Sequence, residues 1–200
     1  MSKRLLALLA CAVFLAGCAP HPPLKPMPGR DAVALTNPLT SWRATGRLGV
    51  KAPGNGFSAS FDWAESQQGS VIEVHGPLGL GAVHITRTDQ EIRIANGQGS
   101  VQVSVAPFAD LQTLLVERLG AALPLAPLRY WLLGVPDPQA EQTLLTDSGF
   151  EQYGWSVTVA DPQEVPGTSL PLPRSVVLVQ GDTRIRLLVQ SWAVGAQADP

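Results

Sequence analysis

The chain has 200 residues, with 14 Lys and Arg against 16 Asp and Glu, a formal net charge of −2 and two cysteines. This length is typical of one domain with a single core, and the lack of a basic excess argues against nucleic-acid binding. The sequence has no Gly-x-Ser-x-Gly elbow and no Gly-x-x-x-x-Gly-Lys phosphate loop, so it predicts a protein that is not an enzyme.

The first eighteen residues have the pattern of an export signal. Lys3 and Arg4 precede an apolar run over residues 5–16, which is shorter than the roughly 20 residues of a spanning helix. The Leu-Ala-Gly-Cys ending at Cys18 resembles the bacterial lipoprotein signal, in which the cysteine is acylated and becomes the new N-terminus. This resemblance implies that residues 1–17 are removed and that Cys18 carries an N-acyl and a diacylglycerol lipid. An ordinary secretory signal or a retained apolar anchor is the alternative.

Cleavage before Cys18 leaves 183 residues, in which 12 basic residues face 16 acidic ones, a net charge of −4. Ala19 rather than Asp follows the cysteine, and by the same resemblance this favours the outer membrane. Because Cys11 leaves with the signal, no cysteine remains for a disulfide or a thiolate metal site. The spacing of His75 and His84 fits no common zinc pattern. We therefore expect no metal ion and no cofactor other than the lipid.

After the signal, six prolines between residues 18 and 40 predict an extended, semi-rigid tether. From Trp42 the apolar residues alternate with polar ones, which is typical of half-buried strands. This alternation predicts strands at residues 42–50, 57–63, 71–75, 82–87, 91–95 and 101–105. Because the connections are short and rich in turn residues, we expect an antiparallel meander.

The pattern changes to helical spacing after Pro107. Apolar residues predict one amphipathic helix over residues 110–119, and Pro127 suits the first turn of a second short helix at 128–133. Strands are predicted again at residues 143–145, 149–159, 174–180 and 183–192. Together these elements indicate a curved antiparallel sheet with two helices on its apolar face, enclosing either a solid core or an apolar cavity.

Several segments of the chain together carry a recognisable pattern. The most specific is residues 128–134, which read Leu-Arg-x-Trp-Leu-Leu-Gly. The others are residues 42–50, 57–63, 76–79, 172–174 and 185–192. Together these segments resemble the LolB family, outer-membrane receptors that accept lipoproteins from the soluble periplasmic carrier LolA and insert them into the membrane. The lipoprotein signal agrees with this resemblance independently.

The resemblance implies an antiparallel, unclosed half β-barrel, capped by short helices and enclosing an apolar cavity for acyl chains. It divides the chain into a signal (1–17), an acylated tether (18–40), the half-barrel domain (41–193) and a tail (194–200). Taken from the residues alone, the large aromatic side chains are ordinary core residues. With the resemblance, the predicted lining of the cavity is Trp42, Leu48, Phe61, Trp63, Leu115, Trp131, Trp155 and Trp192.

Leu78 corresponds, by the same resemblance, to an apolar loop residue that engages the membrane during insertion. The glycine-rich turn over residues 76–81 leaves Leu78 and Leu80 without strand neighbours, and such exposure is typical of contact with a partner or a bilayer. The alternative is that both leucines fold back onto the barrel rim. The sequence does not decide which leucine leads.

The expected function is therefore transfer without covalent chemistry. An outer-membrane-anchored monomer facing the periplasm would receive client lipoproteins from the LolA carrier and pass them to the inner leaflet of the outer membrane. Candidate carrier contacts are the arginines of the predicted strands, Arg43, Arg47, Arg87 and Arg93. Two other classes remain open from the residues: an assembly lipoprotein that binds an envelope protein through its rim, and an anchored hydrolase.

Overall fold

The computed structural model describes residues 25–27, 39–76, 81–88, 91–96, 101–105 and 124–195. Within these ranges the chain forms one antiparallel sheet of eleven strands, in the order β6-β5-β4-β3-β2-β1-β11-β10-β9-β8-β7. The strands are β1 (Trp42–Ala52), β2 (Asn55–Ser66), β3 (Gly69–His75), β4 (Ala82–Arg87), β5 (Ile92–Asn96), β6 (Val101–Val105), β7 (Leu144–Thr146), β8 (Gly149–Gln152), β9 (Trp155–Gln163), β10 (Leu172–Gln180) and β11 (Thr183–Val194). The described ranges contain one helix, α1 (Leu125–Trp131), and no helix there has the length and hydropathy of a membrane span.

The sheet is a meander in two halves that meet where β1 pairs with β11. In β1 every second side chain from Trp42 to Val50 is buried, and the residues between them are half-buried or exposed. This period of two places one apolar face of the sheet on the core and the other toward solvent.

The sheet curves around α1. β2 and β8 are five strand positions apart, which is about 24 Å in a flat sheet, whereas a seven-residue helix is only about 10 Å long. Side chains of α1 nevertheless contact both strands, because Arg129 approaches Glu65 of β2 and Trp131 bonds to Gln152 of β8. The end strands β6 and β7 are not neighbours in the described sheet. The predicted antiparallel, unclosed half-barrel is therefore confirmed.

The predicted strand at residues 149–159 is instead a hairpin of β8 and β9. Tyr153 and Gly154 both have positive φ, 52° and 74°, as a type I′ turn requires. A tyrosine is uncommon in this conformation, but its ring lies 6.4 Å from that of Trp131 and its hydroxyl donates to Asp137. These contacts compensate for the unfavourable backbone conformation of Tyr153. Because a tyrosine occupies the first turn position, residues 149–159 were predicted as one strand although Gly154 follows.

A short part of the predicted tether pairs with the sheet. The backbone N–H of Met27 donates to the carbonyl of Val159 at 2.8 Å, and Asp161 donates to the carbonyl of Lys25 at 2.7 Å. Met27 is only 4% exposed and belongs to the core. Lys25 to Met27 therefore extend the edge of β9 beyond β8.

Other predictions fall outside the described residues. They are the signal with Cys18, most of the tether, Leu78 and Leu80, the helix at 110–119 with Leu115, and the tail from residue 196.

Candidate functional site

A cavity of about 310 Å³ lies at the end of the half-barrel where β1 begins and β2 ends. α1 and the turn after it form the opposite wall. The cavity is lined by Leu39, Thr40, Trp42, Glu65, Ser66, Gln67, Arg129, Tyr130, Leu133, Val135 and Pro138. Small-ligand sites range from about 300 to 1,000 Å³, so this cavity is at the small end of that range.

A buried carboxylate lies at the edge of this cavity. Glu65 is 8% exposed and accepts hydrogen bonds from Arg87 of β4 and from Trp63 Nε1, the latter at 3.1 Å. Arg129 Nη1 lies 3.7 Å from the same carboxylate. A buried charge requires such partners because desolvation otherwise disfavours it, so Glu65 joins β2, β4 and α1 at one point.

Arg129 is oriented by its neighbour in sequence. Its Nη2 donates to the hydroxyl of Tyr130 at 2.6 Å, and its Cζ lies 4.5 Å from the centroid of the Tyr130 ring. Its Nε is buried and has no hydrogen-bond partner among the described residues. The guanidinium thus holds an unused donor beside the cavity.

The far side of α1 is fixed to β8 through Gln152. The Gln152 Oε1 accepts from Trp131 Nε1 at 2.8 Å and from the backbone N–H of Asp137 at 2.9 Å, while its Nε2 donates to the Asp137 carbonyl and to Thr143. These four hydrogen bonds of Gln152 position the helix wall of the cavity.

Asp137 also accepts a hydrogen bond from the hydroxyl of Tyr153. Burial and this hydrogen bond raise the pKa of Tyr153 above its ordinary value.

A second cavity of about 150 Å³ adjoins the first. Glu65 and Ser66 line both, and Arg87 lines the second. Glu65, which is paired with Arg87, therefore lies where the two cavities meet.

The predicted lining residues occupy different places in the described structure. Trp42, 1% exposed, forms part of the cavity wall, with the rings of Trp63 and Trp192 each 5.6 Å from its own. Trp192 is partly buried against the core. The other described members are packed within the core: Leu48, Phe61, Trp63, Trp131 and Trp155. Whether these residues contact an acyl chain stays a prediction.

The residues that bring charge to the cavity were not predicted. Arg129 and Tyr130 belong to the Leu-Arg-x-Trp segment, but the sequence carries no sign that this arginine meets a carboxylate on β2. Glu65 continues the alternation of β2 on its buried face. A charged residue in a buried phase of a strand is the signal that could have revealed it.

The connection from β3 to β4 is closed at its base by the N–H of Gly76, which donates to the carbonyl of Gly81 at 3.3 Å. Leu78 and Leu80 lie between these two residues in the sequence. β3 begins at Gly69, two residues after the cavity residue Gln67. It then runs seven residues to His75. At the rise of an antiparallel strand, this loop starts about 20 Å from the cavity end of the barrel.

The arginines that were predicted to contact the carrier differ in whether they already form ion pairs. Arg43 forms a bidentate pair with Asp62 at 2.7 Å, which raises the pKa of its guanidinium. Arg87 is bound to Glu65, and Arg93 to Glu91. Arg47 is exposed and has no ion pair within the described residues.

These features define a class of protein: an open antiparallel half-barrel with an apolar interior and a small cavity between the sheet and a short helix. The model of the family of outer membrane lipoprotein LolB matches residues 40–192, a range that includes β1 to β10, most of β11, α1 and all the cavity-lining residues except Leu39. The chain belongs to the LolB family.

Curated relatives are similar over nearly the whole chain. Outer-membrane lipoprotein LolB of Marinomonas sp. (strain MWYL1) is 24% identical over 97% of this chain and 100% of the relative. Those of Chromohalobacter salexigens and Alkalilimnicola ehrlichii are 27% and 28% identical, over 96% of this chain and 91% and 97% of the relatives. A crystal structure of a LolA superfamily protein from Nitrosomonas europaea superposes with a TM-score of 0.48 at 9% identity, covering 79% of this chain and 87% of that one.

Proposed function

We propose that the protein is an outer-membrane receptor that accepts lipoproteins from the periplasmic carrier LolA and inserts them into the outer membrane. The observation that carries this proposal is the LolB family match over residues 40–192, which spans the half-barrel and its cavity together. The curated relatives are named outer-membrane lipoproteins. The same match favours a receptor over an assembly lipoprotein that binds through its rim.

Energetics require that a client's acyl chains never cross open water. Each buried CH₂ group contributes about 0.8 kcal/mol, so the chains must pass directly from the carrier's interior to that of the receptor. The transfer then runs downhill in free energy, from the weaker site to the tighter one and finally to the bilayer. Binding and release suffice, and no covalent step is required.

The small cavity implies that loading enlarges the interior. A volume of about 310 Å³ is at the lower limit for a small ligand, and a lipoprotein anchor has several acyl chains. The packed side chains between the sheet and α1 are therefore the ones that must separate during loading. They include most of the predicted lining residues, from Trp42 and Trp63 near the cavity to Phe61 farther along β2.

Two further parts of the proposal concern the membrane. The first is that Cys18 carries the lipid that anchors the protein, which faces the periplasm. The second is that Leu78 and Leu80 enter the bilayer when the client is released. Because the loop begins about 20 Å from the cavity end of β3, the client chains would travel along the apolar face of the sheet to reach it.

The test is a reconstituted transfer reaction with carrier-bound client and liposomes. We expect Leu78→Glu to accept the client normally but to block its insertion, because a charged loop tip does not enter the bilayer. The matched control is Leu144→Glu, since Leu144 is a 62% exposed leucine on β7, and insertion should then be normal. Leu80→Glu shows which leucine leads.

The outcomes separate the parts of the proposal. Normal insertion by both loop variants would refute the loop assignment. Failure of the unaltered protein to accept client from the carrier would refute the receptor function. Loss of membrane attachment in Cys18→Ser is expected, and retained attachment would refute the lipid anchor.

A further inference from the structure

Arg129 has hydrogen-bonding capacity that the described residues do not use. A guanidinium has five N–H donors. One of them binds the Tyr130 hydroxyl, and Nη1 lies beside Glu65 at 3.7 Å, which is an ion-pair distance and too long for a hydrogen bond. Nε is buried and has no hydrogen-bond partner among the described residues. A buried donor without an acceptor is unfavourable, so a ligand that widens the cavity would be stabilised by placing an oxygen next to it.

The net charge around Arg129 also favours a ligand with a hydrogen-bond acceptor. Glu65 contributes one negative charge, and Arg87 and Arg129 contribute two positive ones. Since Arg87 donates to Glu65 directly, the carboxylate already has a close partner, and the excess positive charge belongs to Arg129. A carbonyl or another electron-rich oxygen next to Arg129 would therefore be stabilised.

Much of the remaining cavity wall is apolar and is formed by Leu39, Trp42, Leu133 and Val135. Thr40, Ser66 and Gln67 add uncharged polar side chains, and Arg129 is the one cationic residue among the described residues of the lining. A ligand that fits both the apolar wall and Arg129 has a hydrocarbon chain that ends in an oxygen acceptor. The acyl esters of a lipoprotein anchor have this chemistry, because each hydrocarbon chain begins at an ester carbonyl.

We propose that Arg129 binds an ester carbonyl at the head of the client's acyl chains, so that the receptor recognises the linkage as well as the hydrocarbon. This inference rests on the proposed function and names the polar part of its binding site. Tyr130 acts as a positioning residue, because its hydroxyl and ring hold the guanidinium at the cavity.

The test compares two synthetic peptides that differ only in this linkage. One carries an N-terminal cysteine with two ester-linked palmitoyl chains, and the other carries ether-linked hexadecyl chains, which lack the carbonyls. We expect the unaltered protein to bind the ester peptide about 10 to 100 times more tightly, the range for a hydrogen bond to a charged group. Arg129→Met should bind both peptides with the affinity that the unaltered protein has for the ether peptide.

Two further variants complete the comparison. Arg129→Lys keeps the charge without the Nε donor and should lose most of the preference; it also serves if Arg129→Met does not fold. Arg184→Met is the matched control, because Arg184 is exposed on β11 and has no ion pair within the described part of the chain. It should keep the full preference.

The results distinguish this inference from the proposed function. Equal binding of both peptides by the unaltered protein, or an unchanged preference in both Arg129 variants, would overturn the role of Arg129 and leave the receptor function standing. Binding of neither peptide would overturn both. Competition by palmitate at lower concentration than by methyl palmitate would assign the site to a carboxylate and overturn the ester assignment.

Discussion

Gln152 offers the sharpest test of how α1 is held against the sheet. Its side-chain amide has two donors and two acceptor positions, and all four are used within the described structure. The orientation of the amide follows from its partners, because Trp131 Nε1 and the Asp137 N–H are both donors and must face the oxygen. Gln152→Leu keeps a similar volume and removes all four bonds.

The magnitude follows from which partners are buried. Trp131 is fully buried and Asp137 is 7% exposed, whereas Thr143 is exposed and can bond to water. Each buried donor left without an acceptor costs about 1–3 kcal/mol. Two such donors give a loss of about 2–6 kcal/mol in the free energy of unfolding. For a domain of this size that lowers Tm by about 4–24 °C.

The assay is thermal and urea unfolding followed by circular dichroism. Gln152→Glu is an intermediate variant, because its carboxylate still accepts from both buried donors. Gln190→Leu on β11 is the matched control, since Gln190 is exposed, and its effect should stay within about 0.5 kcal/mol. A Gln152→Leu protein that melts within 2 °C of the unaltered one, by the same scale, would refute the reasoning.

Two other predictions concern a strand glycine and a tyrosine. A Cβ on Gly46 would overlap the carbonyl oxygen of Leu188, whereas a Cβ on Gly49 meets nothing within 4 Å. Gly46→Ala should therefore lower the free energy of unfolding, measured in urea, by at least about 2 kcal/mol. Equal stability of Gly46→Ala and Gly49→Ala would contradict this. In Tyr130→Phe the remaining tyrosine is Tyr153, and absorbance titration should give a midpoint above pH 10.0. Because the folded pKa of Tyr153 is raised, the stability contributed by its protonated hydroxyl is complete below pH 10.0 and is lost as the pH rises through the folded pKa. A midpoint at or below pH 10.0 would contradict the partial desolvation of this hydroxyl and its hydrogen bond to Asp137.

Local patterns were sufficient for most of the fold. The period of two from Trp42 onward predicted the strands of the meander, because a half-buried strand alternates whatever its partners are. Pro127 likewise indicated the first turn of α1, which begins at Leu125. These features depend on neighbours in sequence, and the sequence contains them.

Features that depend on distant contacts were not predictable in this way. The turn at Tyr153 and Gly154 has a typical turn residue in its glycine but not in its tyrosine, which is held by Trp131 and Asp137 from other parts of the chain. The pairing of Met27 with Val159 joins two segments that lie far apart in the sequence. No local pattern indicates which strand a short extended segment will join.

The contacts on the two sides of α1 differ in whether a buried group keeps a partner when the helix moves. This difference indicates how the cavity opens. On the β2 side, moving Arg129 away leaves Glu65 with Arg87 and Trp63 as partners, so the buried carboxylate stays paired. On the β8 side, moving Trp131 away from Gln152 leaves a buried donor without an acceptor, which costs about 1–3 kcal/mol. Movement of α1 is therefore cheaper at the β2 side. We expect loading to widen the cavity there, with α1 pivoting on its bond to β8.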